Sequence, residues 1–207
     1  MLPLGCNSNT NASGLDESGS EWRQIDLSKF TGVGALSCKD RVLDKLWRTV
    51  GQRIYRCSLL GFSRGNQVRA ALLRLFGATV GTNVVLRPCE ITTPRNIHIG
   101  NHAWIGEGAV LYSLAQIEIG DNACVSQHAY LCTGSHDVTD PFFGLVKRSI
   151  VVRAGAWVCA NTFVGPGVTV YEGAVAAAGS VVVRDLPAMS VSGGNPCVFI
   201  KKRQLRA

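Results

Sequence analysis

From Val80 onward, large aliphatic residues return at every sixth position. One run is Ile99, Ile105 and Leu111, and a second is Ile119, Val125 and Leu131. A third is Val152, Val158, Val164, Val170, Ala176 and Val182. Four places beyond these stand Ala103, Ala109, Ala115, Ala123, Ala129, Ser135, Ala156, Thr162, Val168, Ala174 and Ser180, with Leu186 as the larger exception. Gly, Asn, Asp and Glu gather between the two positions, as in Gly106-Glu107-Gly108 and Gly120-Asp121-Asn122. Such residues accept tight turns at low cost. A six-residue period fits neither a helix nor the alternation of an ordinary sandwich strand. It predicts short strands that turn an aliphatic inward, with a small residue at each corner. Three such units make a triangular coil of about 18 residues, and stacked coils bury one continuous column. The fold class expected over 79–192 is an all-β solenoid, a parallel β-helix of hexapeptide repeats.

The period breaks twice. Leu111 and Ile119 are eight apart, which implies a small bulge. Leu131 and Val152 are 21 apart, which implies a loop over 137–150 thrown out beside His136-Asp137. A protruding loop on a rigid scaffold is a natural place for function. Upstream, the pattern is helical. Leu43, Leu46, Trp47, Val50 and Ile54 recur at three- and four-residue spacing, so a helix is expected from Asp40, as N-cap, to about Leu60. A shorter helix is expected over Asn66 to Phe76, with Gly77 in its C-terminal turn. Residues 25–78 thus read as an extended and helical appendage, either a cap packed on the solenoid or a membrane-surface anchor. Residues 1–24, rich in Asn, Ser, Gly and Thr, are expected to be disordered. Residues 193–207 read as a basic tail.

The formal net charge of +7 is concentrated. Between Arg41 and Arg74 lie eight basic residues and one acid, Asp44, and a second cluster is Lys201, Lys202, Arg203 and Arg206. Anionic partners follow: cofactor phosphates, acidic glycans or a lipid surface. None of the eight cysteines forms a C-x-x-C pair, and most replace a small apolar residue in the repeats. They read as reduced thiols of a cytoplasmic protein, with no zinc site. No run of about 18 apolar residues suggests a spanning helix. Met1–Gly5 lacks the apolar core of a signal peptide. Pro3-Leu4-Gly5-Cys6 is a poor lipoprotein site for the same reason, and Asn11-Ala12-Ser13 has no meaning as a glycosylation acceptor without secretion.

Leu131-Cys132-Thr133-Gly134-Ser135-His136-Asp137 resembles the catalytic stretch of the hexapeptide-repeat acyltransferases, and most of all that of the colanic-acid and exopolysaccharide biosynthesis acetyltransferases. Leu72 to Ala78, Ser126 to Asp137 and Gly193-Gly194-Asn195-Pro196 carry the same likeness, which spans about 25–203. The resemblance implies a left-handed β-helix, against the usual right-handed crossover. It implies a homotrimer with active sites between subunits, and acetyl-CoA as co-substrate lying along a groove between coils. The expected activity is O-acetyl transfer to a sugar hydroxyl in exopolysaccharide or glycolipid assembly, in the cytoplasm and peripheral to the inner membrane. No nucleic acid partner is expected.

By the same resemblance His136 is the general base, although its position alone suits a surface histidine. A neutral imidazole, with an ordinary pKa of about 6.5, accepts a proton near neutrality. The acceptor hydroxyl would lose its proton to His136 while attacking the thioester, and backbone N–H groups would hold the oxyanion. Trp157 and His128 are the acceptor-site positions, each with a structural alternative as a corner or turn residue. Ala160, Ala178, Arg184, Asn195 and Lys201 are the cofactor positions. Of these, Ala160 and Ala178 offer backbone to the pantetheine arm, Arg184 and Lys201 match positions that meet phosphates, and Asn195-Pro196 also turns the chain out of the last coil. The role of Asp137 is open. His98 and His102 read as structural, and Cys132 as a packing residue rather than a nucleophile. Where some sugar acetyltransferases hold their acceptor with Asn and Asp, this chain has Gly106-Glu107 to Ser113-Leu114, so acceptor contacts do not carry over. Other readings are an acceptor such as serine or an antibiotic, a non-catalytic scaffold, and a metal-dependent carbonic-anhydrase-like β-helix.

Overall fold

A computed structural model of the chain describes residues 13–15, 21–23, 25–30, 32, 37–57 and 62–205. It divides into two compact units, 35–135 with 147–207, and 1–34 with 136–146.

The larger unit is a left-handed parallel β-helix with a helical N-terminal part. Its short strands fall into three sheets, one of seven strands and two of five. Consecutive coils pair in register: Leu86 lies beside Ile105, Ile105 beside Val125, Val125 beside Val158, and Val158 beside Ala176. The second face stacks Ile91, Leu111, Leu131, Val164 and Val182. The third stacks Val80, Ile99, Ile119, Val152 and Val170. All twelve periodic aliphatic positions are buried, and none is more than 3% exposed. Each contributes roughly 1.5–3 kcal/mol of burial free energy if a valine, leucine or isoleucine.

The corners follow the expectation except at the two breaks. Ala115 is half-buried and Ser135 exposed. Those corners are filled instead by Ser113 and Thr133, both fully buried. A hydroxyl there stays satisfied because it bonds backbone. Ser113 Oγ donates to Thr93 O and accepts from Thr93 N, each at 3.0 Å. Thr133 Oγ1 donates to Tyr112 O at 2.7 Å and accepts from Ala115 N at 2.9 Å. The long insertion closes on the same coil, where Arg148 N donates to Thr133 O at 3.0 Å.

The helices differ from expectation in cap, length and facing. The first begins one turn earlier, at Cys38, because Ser37 is its N-cap: Ser37 Oγ accepts from Asp40 N at 3.1 Å and donates to Asp40 Oδ2 at 2.7 Å. It runs Cys38–Leu46, passes through a π-helical turn Trp47–Gly51, and ends with Gln52–Arg56, so it stops short of Leu60, which lies outside the described residues. Its buried face is Asp44, Trp47, Gly51 and Tyr55. Leu46, Val50 and Ile54, three of the residues whose spacing announced the helix, are exposed. Periodicity identifies residues that share a face and leaves open which face meets the core. The second helix spans Phe62–Leu75, and Gly77 ends it at φ 89°.

These helices cover the open edge of the first coil. An uncovered edge would leave strand N–H and C=O groups without ladder partners. Gln52 Nε2 donates to Cys89 O at 2.8 Å while its Oε1 accepts from Ile91 N at 3.0 Å. Asn66 does the same for Val84 O and Leu86 N, at 2.7 and 2.6 Å. Trp47 Nε1 donates to Ile91 O at 2.6 Å. Buried Arg69 donates to Tyr55 O and Cys57 O, both at 2.8 Å. Arg95 on the solenoid side pairs with Asp44 and, at 3.7 Å, with Asp40.

At the other end, the segment expected as a basic tail contains a strand. Val198–Lys202 pairs antiparallel with Ser190–Gly193. Arg203 Nη1 then donates to Gly155 O and Gly173 O at 3.0 and 2.8 Å, so this cation is spent on the fold. Arg206 lies outside the described residues. In the smaller unit, Ser13–Leu15 and Glu21–Arg23 form an antiparallel pair within the stretch expected to be disordered. The remainder of 1–20 and Gln24 lie outside the described residues.

Candidate active site

His136 belongs to the smaller unit, with residues 25–30 and the loop it begins. Two aspartates shape that loop, accepting four hydrogen bonds. Asp137 Oδ1 accepts from Thr139 N and Oγ1 at 2.9 and 2.6 Å. Asp140 accepts from Phe142 N and Gly144 N, both at 2.9 Å. The turn places Phe143 at φ 58° and aims its carbonyl at the imidazole. His136 Nδ1 lies 2.8 Å from Phe143 O. A carbonyl can only accept, so Nδ1 carries the proton and the Nε2 of the neutral ring keeps its lone pair. The Phe143 ring stacks on the imidazole at 3.9 Å between centroids, 20° from parallel. Phe30 meets it edge-on at 5.6 Å. Asp26 N donates to Pro141 O at 2.8 Å, holding the segment before Phe30 to the loop.

Asp137 is committed to Thr139, whose hydrogen bonds hold its carboxyl below the usual carboxylate range. The role left open for it in the sequence is therefore loop shaping. Phe30 and Phe143 escaped the sequence reading. Phe143 was visible as part of the loop, whereas Phe30, more than a hundred residues away, carries no local signal.

Within the larger unit, Trp157 is 42% exposed and its Nε1 donates to Ser126 Oγ at 2.8 Å. His128, two residues past Ser126, sits at a left-handed turn with φ 56°, its ring laid against Gly108 of the preceding coil. Trp157 thus reaches Ser126 from the following coil, while the His128 ring lies toward the preceding one. Ala160, Ala178 and Asn195 lie along one corner of the last coils. Gly179 N donates to Ala160 O at 2.9 Å, Val181 N to Gly194 O at 3.0 Å, and Gly194 N to Ser180 Oγ at 3.2 Å. Arg184 and Lys201 are exposed, one after Val182 and the other on the terminal strand.

Cys132 Sγ donates to Gly134 O at 3.2 Å and also meets the Tyr130 hydroxyl. Ser113 is sealed in its corner, so it offers nothing to an acceptor. His98 lines a surface groove of about 450 Å³ with Glu118, Asp121, Arg153 and Glu172, and none of the expected site residues lines it. Among the described residues, no three of His, Cys, Asp and Glu converge as a metal site requires. Also among them, no helix is long and apolar enough to cross a membrane.

Stacked six-residue coils around one aliphatic column define the fold of the hexapeptide-repeat transferases. No family model matches the chain. A protein of Escherichia coli K12 named as a colanic acid biosynthesis acetyltransferase, WcaF, is 41% identical over 179 residues, covering 86% of this chain and 97% of its own. The chain therefore belongs to the hexapeptide-repeat acetyltransferases, alongside those named for colanic acid biosynthesis. Among solved structures, a hexapeptide-repeat acetyltransferase of Vibrio cholerae complexed with acetyl-CoA superposes with a TM-score of 0.71 at 24% identity, covering 83% of this chain and 92% of that one. A galactoside acetyltransferase in complex with coenzyme A gives 0.73 at 23% identity, covering 83% and 86%. These two likenesses concern the fold.

Proposed function

We propose that the protein transfers an acetyl group from acetyl-CoA to a sugar hydroxyl during exopolysaccharide or glycolipid assembly, with His136 as general base. The single observation that carries the mechanism is the hydrogen bond from Nδ1 to Phe143 O, which leaves Nε2 as the free acceptor. Membership of the acetyltransferase family supplies the reaction class. The acceptor hydroxyl oxygen attacks the thioester carbonyl carbon while its proton passes to Nε2. The tetrahedral intermediate then collapses, the C–S bond breaks, and the proton moves from Nε2 to the departing sulfur. No acyl-enzyme is needed. The stacked Phe143 and the edge of Phe30 hold the ring plane, so little orientation is lost at each turnover.

In this reading Ala160, Ala178 and Asn195 flank the pantetheine arm, since small side chains let the ligand reach backbone groups. Arg184 and Lys201 meet the CoA phosphates, and Trp157 with His128 borders the acceptor. The working assembly is a homotrimer with its sites between subunits, located in the cytoplasm at the inner membrane. Release of CoA thiol, followed with a panel of glycans and small hydroxylated acceptors, tests the reading. Wild type turns over with at least one sugar. His136→Ala loses about 10²- to 10⁴-fold in kcat while still binding CoA. Wild-type turnover in His136→Ala would remove the base, and no CoA binding by the wild type would leave a scaffold.

A further inference from the structure

The first helix presents to solvent a face that its sequence would bury. Val42, Leu46, Val50 and Ile54 follow one another at four-residue steps and are 66%, 47%, 48% and 44% exposed. In a plain α-helix such a row drifts steadily around the axis. The π-helical turn Trp47–Gly51 advances less per residue and keeps the lower half of the row beneath the upper half. The result is a continuous apolar stripe. Lys45, Arg48, Arg53 and Arg56 are exposed on the same element.

The acids of this helix are turned away from that side. Asp44 is buried against Arg95, and Asp40 faces the same guanidinium. The following helix, Phe62–Leu75, has no acidic residue and adds exposed Arg64, Val68 and Leu75. Packing and charge therefore sort the residues into a capping side and a solvent side that is apolar and basic. The capping duty is met by Trp47, Gln52, Asn66 and Arg69, none of which belongs to the stripe. A helix with apolar residues beside cations, and too little hydrophobic length to insert, has the chemistry of an element that lies in an anionic lipid surface.

We infer that the solvent face of the helix Cys38–Arg56 docks the protein on an anionic membrane. The apolar row would enter the headgroup boundary, and Lys45 and Arg53, which flank it, would meet lipid phosphates. Charge complementarity selects this occupant, because the face carries no exposed acid to meet a basic partner. The inference does not rest on acetyl transfer, and lipid binding and turnover are separate readouts.

Sedimentation with phosphatidylcholine vesicles, with and without one quarter phosphatidylglycerol, tests it on the full chain. Wild type should sediment with the anionic vesicles and stay in solution with the neutral ones, and added salt should release it. The variant Lys45→Glu/Arg53→Glu should lose at least tenfold in bound fraction, since each cation near an anionic surface is worth about fivefold. Leu46→Ser/Val50→Ser/Ile54→Ser should lose binding as well, with circular dichroism and light-scattering mass unchanged. If that apolar variant misfolds, the charge variant decides alone. The inference fails if wild type ignores anionic vesicles, or if the charge variant binds them as wild type does. It fails equally if the apolar variant changes the oligomer mass, because the face is then a contact between copies of the chain.

Discussion

At the scale of the residue, the tautomer of His136 is the most consequential feature. The two ring nitrogens differ because one faces a carbonyl. Nitrogen-15 NMR of the neutral protein should show His136 protonated at Nδ1 and bare at Nε2. The opposite tautomer would deprive the proposed reaction of its base. A second residue with a definite chemical expectation is Cys89, wholly enclosed between the cap and the first coil. Burial drives its thiol up to about 12, against a smaller opposing pull from its hydrogen bond with Tyr55. A group whose pKa lies that far above pH 8 has roughly one part in ten thousand as thiolate, the form that reacts. Native protein treated with iodoacetamide at pH 8 should therefore be modified at exposed Cys38 and spared at Cys89, as peptide mass mapping would show. Rapid labelling of Cys89 would mean that the cap opens on the timescale of the reaction.

At the scale of the element, the cap works through side-chain amides that imitate a missing strand. Gln52 gives one donor and one acceptor to the first coil, as a neighbouring strand would. Gln52→Ala should cost about 2 kcal/mol, because it strands Cys89 O and Ile91 N at a covered edge, and the loss should appear as a lower Tm. An unchanged Tm would mean that water replaces the amide freely. Little of this was legible in the sequence. The spacing of Leu43, Leu46, Trp47, Val50 and Ile54 announced a helix, yet amide pairing depends on a strand edge some forty residues away. Gly51 shows why the packed face went elsewhere. A Cβ there would come within 2.5 Å of Trp47 Cε3, so the glycine lets the indole lie flat against its own helix and reach Ile91. Arg203 likewise read as tail charge, since nothing in Lys201-Lys202-Arg203 distinguishes the cation that clasps Gly155 and Gly173.

At the scale of the whole molecule, the solenoid was legible because one physical constraint repeats along it. Each coil must place an aliphatic residue over the one below, so the pattern is printed in the sequence many times. The exceptions, Ala115 and Ser135, fall where extra residues lengthen a side and Ser113 or Thr133 takes the corner. The loop was legible from the break in the period, while the setting of His136 depends on the carbonyl direction at Phe143. The same stacking makes a sharp prediction about glycines that look alike in the sequence. Gly106 and Gly165 both follow a buried aliphatic at the start of a turn. Coils stack at the spacing of paired strands, about 4.8 Å, so any atom between backbones must displace one. A Cβ on Gly106 would meet Gln127 N at 2.4 Å and Ser126 C at 2.5 Å, both backbone atoms of the next coil. On Gly165 the nearest atom is Val182 O at 3.5 Å, ordinary contact, and its φ is not in the left-handed region. Gly106→Ala should therefore force adjacent coils apart and cost about 2 kcal/mol or more. Gly165→Ala should be neutral or slightly stabilising, because alanine lowers the entropy of the unfolded chain. Thermal or urea unfolding of the two variants measured side by side decides the point. Equal losses would mean that turn conformation, rather than the contact between successive coils, governs where this solenoid needs glycine.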